Sequence, residues 1–319
     1  QERGAAFEVE RGQLKMVRSD EHPACGFLRS DKLCSIHAEL GYQSKPLGCQ
    51  QFPFLMTRLP DGTRRVGASF SCTAVQQGSG PPLEASRADF EDIDRQGAAF
   101  VQVPSSLQVV PGLEWDWDEM QAFEQRFRSK IQGKGWQEAL FESLIALGQM
   151  VRAQPGALEA PLGLLGQVLT ASLLKPCLHD QDRQFWALLD QAFLGECDLT
   201  IPEFAWSGPI EALQSVIQDQ VAQRFDSKFD QYREALWFRQ VHFLQGDLAS
   251  GLLLLWSLRD ILRLLTALHA SKDGCLPGEK QANKALDTVE TSLVAHSANG
   301  TLVFQQLSQA WLAMALHHT

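Results

Sequence analysis

The chain is predicted to be mostly α, with a small cysteine-rich loop and β-hairpin module followed by an all-α helical domain. Three observations carry this expectation. Cys25, Cys34, Cys49 and Cys72 crowd the first 72 residues, which lack sustained helical periodicity. Pro60-Asp61-Gly62 is a turn signal between two apolar-rich runs. From about residue 113 onward, apolar residues recur at helical spacing almost throughout. The expected organisation is a metal-binding module over 1–80, a linker with a short helix over 81–112, and a helical domain over 113–319.

Taken in order, QLKMVRS at 13–19 alternates like a short strand. CSIHAELG at 34–41 has room for a turn or two of helix, stopped by Gly41 where helices commonly end. Lys45-Pro46 then forces extended backbone before Cys49. FPFLMTRLPDGTRRVGASFSC at 52–72 reads as a hairpin, and antiparallel pairing about Asp61 is expected to bring Cys49 and Cys72 to its open end. GSGPP at 78–82 has linker composition, and ADFEDIDRQ at 88–96 reads as a short acidic helix. VPSSLQVVPG at 103–112 reads as an extended connector with a β-like centre.

Asp116 or Asp118 is placed to cap a helix in which Met120, Phe123, Phe127 and Ile131 share a face. Leu140, Leu144, Leu147 and Val151 repeat the pattern over 135–151. Further helices are expected near 157–175, 181–194, 209–224, 228–245, 248–271, 279–296 and 301–316. Ser207 followed by Pro209 reads as a start signal for one of them. The tryptophans fall mostly at helical core spacing.

Composition excludes several function classes. An apolar fraction of 45% with 21% charged residues is that of a globular chain. The net charge is −10, but residues 1–80 carry ten Lys/Arg against eight Asp/Glu. The acidic remainder offers no broad basic face for nucleic acid. The apolar run at 251–268 contains Arg259, Asp260 and Arg263, so it reads as a buried helix rather than a membrane span. Seven cysteines is an odd count that fits a disulfide framework poorly, which points to a reducing cytoplasmic setting. No H-E-x-x-H, G-x-S-x-G, Walker or G-x-G-x-x-G motif occurs.

The cysteine spacing is Cys25-x8-Cys34-x14-Cys49-x22-Cys72. Four thiolates suffice for one tetrahedral zinc or one four-iron cluster. None of the spacings is a C-x2-C knuckle, so spacing alone leaves a metal site and unrelated buried thiols both open. The residues between the cysteines say more. Cys25 is followed by Phe27-Leu28 and Asp31, and Cys34 by Ile36-His37; Lys45-Pro46 precedes Cys49, which leads Phe52-Pro53, and Cys72 closes the segment.

In these features residues 24–75 resemble the YkgJ-like cysteine-cluster family of zinc- or iron-chelating proteins, named for a CxxCxxCC run. That run is absent from this chain, which begins at Gln1 rather than Met, and it is expected upstream. The resemblance implies metal ligation by Cys25, Cys34, Cys49 and Cys72, with a 4Fe-4S iron–sulfur cluster favoured and zinc the alternative. Through a more distant similarity to flagellin lysine N-methylases it also implies redox or lysine methyl-transfer chemistry, with a protein as partner or substrate. The competing reading is a non-enzymatic helical interaction scaffold with a structural zinc site.

Other residues carry weaker signals. His37 is a possible zinc ligand, but the resembled family also holds Tyr there, which favours packing. Lys45 is placed to lower the pKa of a nearby thiol. Asp89, Glu91, Asp92 and Asp94 read as a solvated helix face. Cys177 with His179, and Cys197 and Cys275, lack partners in sequence and read as incidental.

Overall fold

In a computed structural model, the protein is described at residues 7–10, 13–16, 27, 29–31, 33–97, 100–110, 113–152, 198–201, 204, 206–209, 212 and 215–295. Numbered along the chain, its elements begin with β1 (Phe7–Glu10) and β2 (Gln13–Met16), then α1 (Ser35–Leu40) and α2 (Leu47–Gln51). Next come β3 (Phe54–Arg58), β4 (Arg64–Ala68), α3 (Thr73–Gln76), α4 (Arg87–Arg95) and β5 (Phe100–Gln102). After them follow β6 (Ser106–Val110), β7 (Leu113–Asp116), α5 (Trp117–Lys134) and α6 (Trp136–Arg152). The rest are β8 (Asp198–Ile201), β9 (Trp206–Pro209), α7 (Asp226–Phe238), α8 (Leu248–Asp273) and α9 (Glu279–Val289). Among the described residues helix predominates, as expected.

The chain forms two compact units: Gln1–Phe52 with Glu84–Ala99, and Pro53–Leu83 with Phe100–Thr319. This division differs from the expected boundaries at 80 and 112. The hairpin and Cys72 go with the helices, whereas Cys34 and Cys49 belong to the first unit. The cause is pairing: β5 lies parallel to β3, with Met56 opposite Phe100, so the 53–83 segment is tied to the chain after residue 100.

In the first unit, β1 and β2 pair antiparallel from Phe7 opposite Met16 to Glu10 opposite Gln13. α1 ends at Gly41, whose φ of 86° is one that a side chain would strain, and its N–H bonds the His37 carbonyl. α4 is the acidic helix the sequence predicts. Its exposed face carries Arg87–Glu91 and Arg95–Asp92 pairs, and Ile93 turns inward and is fully buried.

In the second unit, β3 and β4 form the predicted hairpin, with Phe54 opposite Ala68 and Arg58 opposite Arg64. Asp61 Oδ1 accepts from Thr63 N at 2.8 Å, and Gly62 takes a φ of 82°, so the Pro-Asp-Gly signal is realised as a turn. β6 and β7 are a second hairpin, with an irregularity between Gln108 and Val110. The capping-box geometry at α5 selects Asp116 over Asp118. Asp116 Oδ1 accepts from Glu119 N and Glu119 Oε2 accepts from Asp116 N, both at 3.0 Å.

α8 is the axis of this unit. Asp247 caps its start by accepting from Ser250 N at 2.7 Å, and Gly274 ends it in the left-handed conformation at φ 62°. Between them, Leu252, Leu254, Leu255, Leu258, Leu262, Leu265 and Leu268 are completely buried and together cover somewhat more than half of the helix's circumference, while Asp260 on the remaining side is exposed. α8 packs against α6, α7, α9 and β6. The predicted reading of 251–268 as a buried helix holds, since so wide an apolar surface needs neighbours on several sides. No helix among the described residues is long and apolar enough to cross a membrane. The charges in the run are paired: Arg263 reaches Asp226 at 2.7 Å and Asp260 at 3.2 Å.

Three sequence expectations are corrected. Ser207–Pro209 do not start a helix. They lie in β9, which pairs with β8, with Thr200 opposite Ser207 and Asp198 opposite Pro209. A residue without an N–H is tolerated at the end of such an edge strand. Helical structure in that stretch is described at 212 and 215–216, continuing as π-helix over Ile217–Val221. With β7, β8 and β9 present, the region after 113 is mostly rather than wholly helical. The helix expected at 228–245 also stops at Phe238, because Gln240 turns left-handed at φ 62° ahead of a 3-10 turn, Val241–Phe243. The helices expected near 157–175, 181–194 and 301–316 lie outside the described residues.

A buried polar network joins the hairpin to the helices of this unit. Glu290, fully buried just after α9, accepts from Arg239 Nη1 at 2.9 Å, Ser69 Oγ at 3.3 Å and Tyr232 Oη at 2.6 Å. Thr57 Oγ1 donates to the Arg239 carbonyl, and Arg65 Nη1 to the Phe238 carbonyl, so the hairpin caps the end of α7. Replacing Glu290 by Ala leaves the Arg239 guanidinium buried without its partner. The expected loss is about 3–5 kcal/mol in denaturant unfolding.

His242 is fully buried, and its ring stacks on Trp237 at 3.8 Å and 6°. Its ring nitrogens have no hydrogen-bond partner among the described residues. Burial, then nearby Arg65 and Arg128, push its pKa well below the usual histidine value. His269 is held down to about 4, by burial first and Lys284 next. Below about pH 6.5 the unfolded chain takes up protons that these folded-state imidazoles refuse, so stability falls as the solution is acidified. His242→Phe keeps a ring on Trp237 and removes this site's share. Its stability–pH slope between about pH 6 and 5 should be flatter than wild type by up to about 1.4 kcal/mol per pH unit.

A Cβ on Gly251 would lie 2.0 Å from the His242 carbonyl oxygen. Gly251→Ala must therefore move α8 off the 3-10 turn, with an expected cost of at least about 1–3 kcal/mol in the same unfolding assay.

Candidate functional site

The sequence places its chemistry on cysteines, and three of the four N-terminal ones are described. Cys34, Cys49 and Cys72 are free thiols, each half-buried. Cys25 lies outside the described residues.

In the first unit, Asp31 Oδ1 accepts from Leu33 N at 3.0 Å and pairs with Arg29 at 2.7 Å. This tightens the acidic turn that leads to Cys34. Cys34 stands at the N-cap of α1 in extended conformation, and its side chain makes no capping bond. The chain then passes through a 3-10 turn, Tyr42–Ser44, and the extended Lys45 into α2, which carries Cys49. Cys49 N donates to the Pro46 carbonyl at 2.8 Å.

The residue after Cys49 holds this turn together. Gln50 is buried, and its Nε2 donates to two carbonyls, Lys45 at 2.7 Å and Gln43 at 3.2 Å. Tyr42 Oη closes the loop by donating to the Gln50 carbonyl at 2.6 Å. Burial, followed by the carboxylates of Asp89 and Asp92, raises the Tyr42 pKa, so the hydroxyl stays a donor.

In the second unit, Cys72 stands at the N-cap of α3, again extended and without a side-chain cap. Its N–H donates to the Ser69 carbonyl at 3.1 Å, and Ser69 N extends the hairpin ladder by donating to Pro53 O at 2.8 Å. Gln76 is buried four residues on. Its Nε2 donates to the Phe70 carbonyl at 2.6 Å and to the Asn283 carbonyl at 3.1 Å. The Phe70 ring lies 4.8 Å from that of Tyr232, which fixes the other side of the same turn.

The secondary candidates resolve as follows. The exposed His37 sets its ring edge-on to Tyr42 at 6.1 Å, a packing contact. Lys45 Nζ lies 5.4 Å from the centre of the Tyr42 ring, a cation–π geometry. Cys275 is exposed in the turn after α8, and its N–H bonds the Ala270 carbonyl. Cys177, His179 and Cys197 lie outside the described residues. Among the described residues, no group of three or more His, Cys, Asp or Glu side chains is placed to hold a metal ion.

Comparison with known proteins adds one relative. Over 128 residues the chain is 27% identical to the uncharacterized protein MJ0939 of Methanocaldococcus jannaschii. The match covers 37% of this chain and 45% of that protein, so the chain spans less than half of its relative. No family model matches, and no solved structure matches.

The parts of this region that sequence reasoning missed are Tyr42, Gln50 and Gln76. A glutamine next to a cysteine carries no periodic or motif signal. Among the described glutamines, a buried side-chain amide aimed at two backbone carbonyls sets Gln50 and Gln76 apart.

Proposed function

We propose that the protein binds a metal through the thiolates of Cys25, Cys34, Cys49 and Cys72, as an iron–sulfur or zinc protein of the YkgJ-like cysteine-cluster type. The observation that carries this is the state of the described thiols. Among the described residues Cys34, Cys49 and Cys72 form no disulfide, and they are half-buried on turns and short helices. A cysteine used only as a small hydrophobe is buried in a core. These three are not among the second unit's buried hydrophobic residues or the first unit's buried Ile93.

The donor chemistry fits the group: four soft sulfurs match a tetrahedral zinc or a four-iron cluster. When bound, an iron–sulfur cluster supplies one-electron transfer or an anchoring charge, and zinc supplies a crosslink. The chain's own residues hold the sulfurs. Asp31 tightens the approach to Cys34, and the Lys45-Pro46 turn sets the backbone that delivers Cys49. The similarity to flagellin lysine N-methylases makes a protein lysine the substrate to test.

A second reading is a structural zinc in a helical interaction scaffold. It is favoured by where the cysteines sit: α1 has six residues, α2 five and α3 four, lengths that do not hold as helices unaided.

Metal analysis of protein purified without oxygen tests both. An iron–sulfur protein is brown and bleaches on oxidation; a zinc protein is colourless, with about one zinc per chain for a four-thiolate site. Cys→Ser at 25, 34, 49 or 72 should each lower metal content, while Cys275→Ser leaves it unchanged. Metal content untouched by all four changes would refute the proposal.

A further inference from the structure

We infer that Gln50 and Gln76 are positioning residues for the thiols of Cys49 and Cys72. The inference rests on the metal-binding reading above and goes beyond it by assigning the groups that hold the ligands in place.

In each unit the thiol sits on a short element that cannot hold its own shape. In each, a buried glutamine amide donates to two backbone carbonyls, at least one of them in the adjoining turn. Gln50 Nε2 spans the Gln43 and Lys45 carbonyls, and Tyr42 Oη returns to the Gln50 carbonyl. The ring of bonds thus closes on the residue next to Cys49. Gln76 Nε2 spans the Phe70 carbonyl, two residues before Cys72, and the Asn283 carbonyl on α9. Its own N–H bonds the Cys72 carbonyl at 3.0 Å. The clamp thereby ties the thiol-bearing turn to the helical core.

The choice of residue follows from the chemistry. Two carbonyls need two N–H donors on one planar group, and a primary amide supplies them at neutral charge. A carboxylate of the same shape has no donor and repels both carbonyls. A lysine or arginine would bring a buried charge without a counter-ion. The Oε1 of Gln50 is buried without a partner among the described residues, so the two bonds made by Nε2 set the side chain's place.

The test uses the full chain with cobalt(II) as the probe, because its near-ultraviolet thiolate-to-metal charge-transfer bands report the number of thiolates bound. Gln50→Glu and Gln76→Glu should each weaken cobalt(II) binding by roughly 10–100-fold, the range typical of outer-shell partners. Each should also lose charge-transfer intensity, as Cys49→Ser and Cys72→Ser respectively do. Gln43→Glu and Gln77→Glu are the controls. Gln43 contributes only its carbonyl and Gln77 is exposed, so both should match wild type.

A second readout needs no metal: the rate of thiol alkylation in the folded apo-protein, resolved by cysteine with mass spectrometry. Gln50→Glu should raise the rate at Cys49 and not at Cys72, and Gln76→Glu the reverse. If Gln50→Glu fails to fold, Tyr42→Phe removes one bond of the same clamp and should raise the Cys49 rate alone. A wild-type chain that binds no metal but shows these site-selective rates would sink the metal reading and keep the clamps. Metal binding with unchanged spectra and unchanged rates in the variants overturns the clamps and keeps the metal.

Discussion

The second unit depends on one constraint: α8 must be surrounded. A helix of 26 residues with buried leucines over more than half of its circumference leaves only a narrow strip to water, and α6, α7, α9 and β6 all pack on it. Its position is set by backbone as much as by side chains. Gly251 lets the helix meet the His242 carbonyl at a distance that leaves no room for a Cβ. The left-handed Gln240 aims that carbonyl, so a local backbone turn decides where the longest helix lies.

Polar groups inside this apolar unit are placed where they connect elements far apart in sequence. Glu290 gathers a hydroxyl from the hairpin, a guanidinium from the end of α7 and a phenol from within α7. Glu124 on α5 does the same work nearby, accepting from Arg65, Arg128 and Gln240. Buried carboxylates are costly unless each lone pair has a donor. Once satisfied, such a site admits few alternative packings. The hairpin is thereby fixed to the helices through Thr57, Arg65 and Ser69, and Cys72 lies four residues beyond the end of β4.

The thiol-bearing turns are built by another rule. Their helices are too short to bury a stripe, so side-chain amides and hydroxyls do what a hydrophobic face does elsewhere. Asp31, Tyr42, Gln50 and Gln76 bond backbone groups rather than one another. This leaves Cys34, Cys49 and Cys72 half-exposed on ordered backbone, a suitable state for groups that must meet a ligand.

Much was legible from the sequence alone. Local rules determined the hairpin at Pro60-Asp61-Gly62, the stop at Gly41, the acidic helix α4, a cap at Asp116 or Asp118 and the buried character of α8, because each depends on residues within a few positions. The cysteines were equally visible as a group. Tertiary structure decided what involves distant partners: β5 beside β3, which moved the hairpin into the second unit, and the strand pairing of Ser207–Pro209 with β8. It also decided which glutamines are clamps, since a side-chain amide reveals its role only when a carbonyl from elsewhere, such as that of Asn283, is brought to meet it. Short-range propensities are written in the local sequence; burial and long-range hydrogen bonds are properties of the packed chain.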